Sequence, residues 1–224
     1  MIVTIDGPAG AGKSSIARQV ADRLGFEFLD TGAMYRAVTL GAIWNKIDFQ
    51  DVDALVAYAR SANLKWHKNQ ISLDDTDVTN EIRTPTVTAA IHFLADLAEV
   101  RQQLSQQQRR IAQGRDIVTE GRDQGTEVFP DAECKIFLTA SPHERAVRRQ
   151  QQLAAAGRNV PIEDVIAAQD RRDDEDRNRP IGSLRPAKDA VVLQSDGMTP
   201  EEVLQQTLDI IAAAAEASAE VPPR

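Results

Sequence analysis

Gly7-Pro8-Ala9-Gly10-Ala11-Gly12-Lys13-Ser14, preceded by the apolar run Ile2–Ile5 and followed by a helical pattern to Leu24, decides how the rest of the chain is read. It fits G-x-x-x-x-G-K-[S/T] without a mismatch, and it stands directly after a strand and before a helix, where that motif has to stand. The glycines let the backbone take conformations closed to other residues, so successive N–H groups can turn inward onto phosphate oxygens. The positive end of the following helix favours the same ligand. Lys13 is placed to reach β- and γ-phosphates, and the Ser14 hydroxyl to ligate Mg²⁺. Gly7, Pro8, Ala9, Gly10, Ala11, Gly12, Lys13, Ser14 and Ser15 are therefore the expected binding residues for a nucleoside triphosphate, with Ser14 the expected metal ligand.

Outward from this loop, five short apolar runs read as strands: Ile2–Ile5, Phe26–Leu29, Ile117–Thr119, Lys135–Thr139 and Ala190–Leu193. Helical patterns separate them, and that alternation means βαβ units around a parallel sheet. The first helix, Ser14–Leu24, carries Ile16, Val20 and Leu24 at helical spacing, with Gly25 as its stop. Ser141-Pro142-His143-Glu144 and Thr199-Pro200-Glu201-Glu202 each put a hydroxyl at the N-cap, proline at the first helical position and glutamate at the third. Thr84-Pro85 opens another helical stretch to about Gln113, with a restart expected near Asp96, where Asp96 and Glu99 make a cap-like pair.

Two segments stand outside the alternation. Met34–Gln113 includes Leu64–Val78, where Leu64/Trp66 and Ile71/Leu73 alternate about Lys68-Asn69-Gln70 as a hairpin would. Gly157–Leu184 is thick with charge. Both lie beyond the carboxyl ends of strands, where open α/β sheets bind ligands. The alanine-rich tail after Ile211, ending Val221-Pro222-Pro223-Arg224, reads as a fraying helix end. Asn45-Lys46-Ile47-Asp48 matches the N-K-x-D by which GTPases read guanine. It follows the helical run Tyr35–Trp44 instead of a late strand, and so reads as a helix end running into a turn.

Bulk properties narrow the class. A chain of 224 residues holds one sizeable α/β domain with insertions. The formal net charge of −8 speaks against a nucleic-acid or anionic-membrane binder. No run approaches the roughly 18 apolar residues that a spanning helix needs. Met1–Ile5 reads as a strand and not a leader, and a single cysteine, Cys134, rules out an intramolecular disulfide, so the expected location is the cytoplasm. Arginines nonetheless cluster at Arg145–Arg149 and Arg171–Arg185, as in a protein that must hold a small anion, although a solvated helix face laced with ion pairs would look the same.

Several further segments occur in a telling order: Leu29-Asp30-Thr31-Gly32-Ala33-Met34-Tyr35-Arg36; Glu81-Ile82-Arg83-Thr84; Val100-Arg101; Glu120-Gly121-Arg122-Asp123-Gln124-Gly125-Thr126; and Arg172-Asp173-Asp174-Glu175-Asp176-Arg177-Asn178-Arg179. With the P-loop, they make the chain resemble the bacterial cytidylate kinases, within the nucleoside-monophosphate kinases, over nearly its whole length. The resemblance implies a P-loop core of five parallel strands flanked by helices (about 1–33, 114–156 and 185–224), a monophosphate-binding insertion (about 34–113) and a lid (about 157–184). It also implies transfer of the γ-phosphate of ATP to CMP or dCMP with Mg²⁺, with these small molecules as the partners. Nothing in the sequence suggests an extensive exposed apolar face, so a monomer is expected.

Carried over residue by residue, the resemblance assigns Thr31, Arg36, Arg122 and Arg179 to the acceptor phosphate, Arg101 and Asp123 to the cytosine, and Arg172 and Asp176 to the ribose. A guanidinium offers a planar fork to phosphate oxygens, and a carboxylate can accept from the cytosine amino group. His92 stands where the family usually has a serine near the base, and Thr31 where it usually has a serine. Arg145, Arg148 and Arg149 are further candidates for touching ATP. A phosphate acceptor, already deprotonated, needs no general base, so Lys13, Arg122, Arg172 and Arg179 are expected to act by positioning and charge neutralisation. The rivals are a kinase of the same fold for UMP, AMP or shikimate, and a P-loop ATPase that works by binding a partner.

Overall fold

Ile2-Val3-Thr4-Ile5-Asp6 carries apolar or small residues on both faces, as a strand covered on both sides requires. It forms β1 (Ile2–Asp6), in which Val3 and Ile5 are wholly buried. The computed structural model describes residues 1–67 and 70–219, with 218 and 219 described by their backbone alone. The expected hairpin turn Lys68-Asn69 and the terminal Val221–Arg224 lie outside the described residues.

The chain runs β1, α1 (Lys13–Leu24), β2 (Glu27–Asp30), α2 (Thr31–Trp44), α3 (Val52–Ser61), β3 (Leu64–His67), β4 (Gln70–Leu73), β5 (Thr76–Asp77), α4 (Pro85–Ala95), α5 (Ala98–Ala112), β6 (Ile117–Gly121), β7 (Cys134–Thr139), α6 (Pro142–Ala155), α7 (Ile162–Asn178), β8 (Val191–Gln194) and α8 (Pro200–Ala219). All five runs expected to be strands enter one sheet, in the order β2-β6-β1-β7-β8. β1 pairs in parallel with β6 and β7, and β7 with β8. From the carboxyl end of β1 the chain leaves towards β2, and from that of β6 it crosses towards β7. Connections parting in opposite directions leave a crevice at the strand ends, and the P-loop and Glu120–Thr126 stand there.

Two compact units emerge, residues 1–26 with 117–224 and residues 27–116. The segment expected to be a lid falls within the first, where α6 and α7 pack as a helical hairpin. In that unit α1 lays Ile16, Ala17 and Val20 in the core and packs on β6 and α8. Gly25 ends α1 in the left-handed conformation (φ 70°), and its N–H reaches the Ala21 carbonyl. Ser141 caps α6 by accepting from Glu144 N, and Thr199 and Glu202 cap α8 reciprocally.

In the second unit α2 packs on α4 and β4, and α3 on α5. The hairpin register pairs Leu64 with Leu73 and Trp66 with Ile71, as the alternation requires. A third strand, β5, joins it through Asp74-Asp75, both with positive φ (48° and 66°), the backbone of a tight hairpin turn. Asn45–Asp48 is a helix end: Lys46 takes φ 54°, and Ile47 N closes back on the Ala42 carbonyl. Thr84 stands at the N-cap of α4 and Pro85 in its first turn, though no side-chain cap bond forms. One expected cap is corrected. α5 begins after Leu97 and not on an Asp96–Glu99 pair, with Val100, Arg101 and Leu104 turned inward, so burial sets its start.

Candidate active site

The P-loop is shaped by what each glycine makes possible. Gly7 takes φ 149°, and a Cβ there would lie 2.0 Å from the Leu138 carbonyl oxygen, so no side chain fits against β7. Gly10 and Gly12 take φ 79° and 92°, and Gly12 opens α1 without any side-chain cap, which leaves the helix N-terminus for an external anion. Lys13 is folded into this loop: it is only 5% exposed, and its ammonium donates to the Pro8 carbonyl at 2.9 Å. Burial first, and then the neighbouring Arg122 guanidinium, lower its pKa to about 7. Ser14 Oγ donates to Glu120 Oε1 at 2.8 Å.

Glu120, Arg122 and Asp123 follow one another off the carboxyl end of β6. They are fixed by Asp6, the last residue of β1, whose carboxylate accepts from Gln124 N (2.9 Å) and Gly125 N (2.7 Å). Burial raises Asp6 to about 7 despite those two bonds. Arg122 Nε donates to Asp176 Oδ2 at 2.7 Å, and Arg179 Nη2 pairs with Asp176 Oδ1 at 2.7 Å. One carboxylate on α7, 2% exposed, thus holds two guanidinium groups. Burial alone would raise Asp176, but Arg122 and Arg179 outweigh it and hold the carboxyl below its usual range. Arg172 lies exposed on the same helix, close enough for its charge to act on Lys13 and Asp176.

Of the arginines on α6, Arg145 and Arg148 are turned onto the P-loop backbone, at the carbonyls of Ala9 (2.8 Å) and Ala11 (3.4 Å). Arg149 donates along its own helix to Gln152. In the second unit, Asp30 caps α2 by accepting from Ala33 N, which sets Thr31 as a buried first residue of the helix. Arg36 lies across Gly32, where a Cβ would come within 3.0 Å of its Nη1. Arg83 pairs with Asp30 at 3.2 Å. Arg101 is buried, donates to the Ala95 carbonyl at 2.9 Å and lies 5.5 Å over the Tyr35 ring. His92 is exposed and tilted against Phe93.

Three residues bonded into this arrangement were not singled out from the sequence. Glu120 and Arg83 lie inside two of the family-like segments but carry no expected role. Asp6 looked like the end of a strand, and only its two bonds to residues more than a hundred positions away reveal its work.

A lysine-bearing anion loop beside paired arginines is what a phosphoryl-transfer site requires. Residues 3–213 match the family model described as cytidylate kinase. The chain belongs to the cytidylate kinase family. It is 62% identical to the cytidylate kinase of Rhodopirellula baltica over 98% of this chain and 96% of that one. It is 44% identical to that of Serratia proteamaculans, with 92% of each chain covered. Among solved structures it is similar to a shikimate kinase from Bacteroides thetaiotaomicron (TM-score 0.50, 11% identity, 95% of this chain and 98% of that one covered). It is also similar to a gluconokinase from Sinorhizobium meliloti 1021 (TM-score 0.50, 17% identity, 97% and 94% covered). At such identities these two support the α/β kinase fold and nothing finer. No helix among the described residues is long and apolar enough to cross a membrane.

Proposed function

We propose that the chain transfers the γ-phosphate of ATP to CMP or dCMP, giving ADP and CDP or dCDP. The observation that carries the chemistry is the buried Lys13 in its P-loop with Arg122 and Arg179 gathered on Asp176 in the same unit. Family membership over residues 3–213 supplies the acceptor. The acceptor phosphate arrives deprotonated, so the protein's work is placement and charge neutralisation. Gly7–Ser15 hold the donor, and Lys13 leaves the Pro8 carbonyl for the β- and γ-phosphates. Arg122 and Arg179 neutralise charge on the transferring group, with Arg172 beside them. Thr31 and Arg36 hold the acceptor phosphate, Arg101 and Asp123 read cytosine, and His92 lies near the base. Asp176, with Arg172, meets the ribose by exchanging an arginine bond for a sugar hydroxyl.

The Ser14 hydroxyl bonded to Glu120 is a pair of hard oxygen donors beside the phosphate loop, a set that suits Mg²⁺. When bound there, Mg²⁺ supplies charge neutralisation on the β- and γ-phosphates. We place the enzyme in the cytoplasm as a monomer. Its one cysteine is a buried thiol pushed up to about 11 by burial. Among the described residues the large exposed apolar side chains are Leu24, Trp44, Val52, Ile181 and the adjacent Val191 and Val192.

The test is an acceptor panel with ADP release as readout, run on CMP, dCMP, UMP, AMP and shikimate. CMP and dCMP should exceed the others in kcat/KM by at least about tenfold, which is about 1.4 kcal/mol of transition-state discrimination. A better rate with AMP or shikimate would overturn the assignment.

A further inference from the structure

The two peptide units that flank Ala9 in the P-loop are gripped by one ion pair. Ala9 N donates to Asp173 Oδ1 at 3.3 Å, and the Ala9 carbonyl accepts from Arg145 Nη1 at 2.8 Å. The same Arg145 Nη1 lies 2.7 Å from Asp173 Oδ2, and the two side chains are 3% and 1% exposed. Around them the α6–α7 hairpin closes on the loop. Gln169 Nε2 donates to the Arg145 carbonyl and stands 2.5 Å from where a Gly10 Cβ would be, and Arg148 reaches the Ala11 carbonyl.

A buried ion pair is rarely more stabilising than apolar side chains of the same volume, so its placement on a backbone peptide asks for a role in geometry. The first of these units carries the Pro8 carbonyl, which takes the Lys13 ammonium, and the second carries the N–H of Gly10, where φ turns positive. Holding the Ala9 carbonyl therefore sets the direction in which the Gly10 N–H points. Asp173 also sits on the helix that carries Arg172, Asp176 and Arg179.

We infer that Asp173, acting with Arg145, is a positioning residue for the phosphoryl donor: the pair fixes the two peptide units at Ala9 and ties α7 to the P-loop. This rests on reading the P-loop as the donor site of a cytidylate kinase. Fixed donors aimed at the phosphates cost no reorganisation when the ligand arrives, whereas a loop free to rotate those peptides has to be ordered by the ligand itself.

The experiment measures ADP and CMP binding separately by calorimetry on full-length Asp173→Asn and on the double variant Asp173→Asn/Arg145→Gln. The double variant leaves no unpaired buried charge and guards against a single variant that fails to fold. Because the two residues act as one unit, ADP binding should weaken about tenfold in either variant and not a hundredfold in the double. CMP binding should stay within about twofold of wild type, a selectivity that general loosening of the fold does not produce. Three results would each overturn the inference: ADP affinity unchanged in the folded double variant, equal losses for ADP and CMP, or tighter ADP binding, which would make Asp173 a competitor for the phosphate. Wild type that binds ADP but not CMP would instead count against the acceptor assignment and leave the ADP comparison standing.

Discussion

Lys13 and Asp6 are ionisable groups that burial pushes toward each other in pKa, the lysine down to about 7 and the carboxyl up to about 7. For Lys13 this has a consequence in binding. Above pH 7 the free enzyme holds the side chain largely neutral, while a triphosphate beside it favours the ammonium, so binding must take up a proton. At pH 8, calorimetry of ATP binding in buffers of different ionisation enthalpy should show uptake approaching one proton, and Lys13→Met should abolish it. Absence of any buffer dependence in the wild type would contradict the placement of Lys13. The motif made Lys13 legible in the sequence as a phosphate ligand. Its depressed pKa was not legible, because that comes from burial and from Arg122, more than a hundred residues away.

At the scale of elements, what is local was readable. The caps at Ser141 and Thr199 lie within four residues of their partners, and both formed. Thr199→Ala removes half of a reciprocal cap and should cost about 1 kcal/mol. For a chain of this size that lowers the melting temperature by about 2–4 °C, and calorimetry on the purified variant checks it. The helix restart near Asp96 was legible but its cap was not, because Leu97, without any capping side chain, precedes α5 and tertiary burial of Val100 and Leu104 places its start. α7 shows the same limit in the site. The family resemblance marked Asp176 and Arg179 as candidates, yet the sequence does not show that Asp176 spends both oxygens on Arg122 and Arg179. Nor did clustering reveal that Arg145 and Arg148 face the P-loop backbone. Arg179→Ala should fold, since its partner Asp176 keeps Arg122, and should lower turnover by about a hundredfold or more, as expected for a guanidinium that neutralises transferring charge. Near-normal turnover in a folded variant would remove Arg179 from the mechanism.

Across the whole molecule, the alternation of five apolar runs with helices specified the parallel sheet, because strands buried on both faces need continuous apolar sequence. The boundaries of the compact units were less visible: they fall at 26/27 and 116/117, where the sequence reading divides at 33/34 and 113/114 and sets 157–184 apart. Contacts spanning a hundred residues, such as Asp6 with Gln124 and Gly125, leave no periodic trace. They are nonetheless what holds Arg122 and Asp123 in register with the P-loop. The account as a whole is a claim about where one phosphoryl group goes. ATP labelled in its γ-phosphate, incubated with the enzyme, Mg²⁺ and CMP, tests it directly. The label should appear in CDP, one for each ADP released, with little release as inorganic phosphate when CMP is left out. Label released as inorganic phosphate at the same rate with or without CMP would contradict the account and mark the chain as an ATPase.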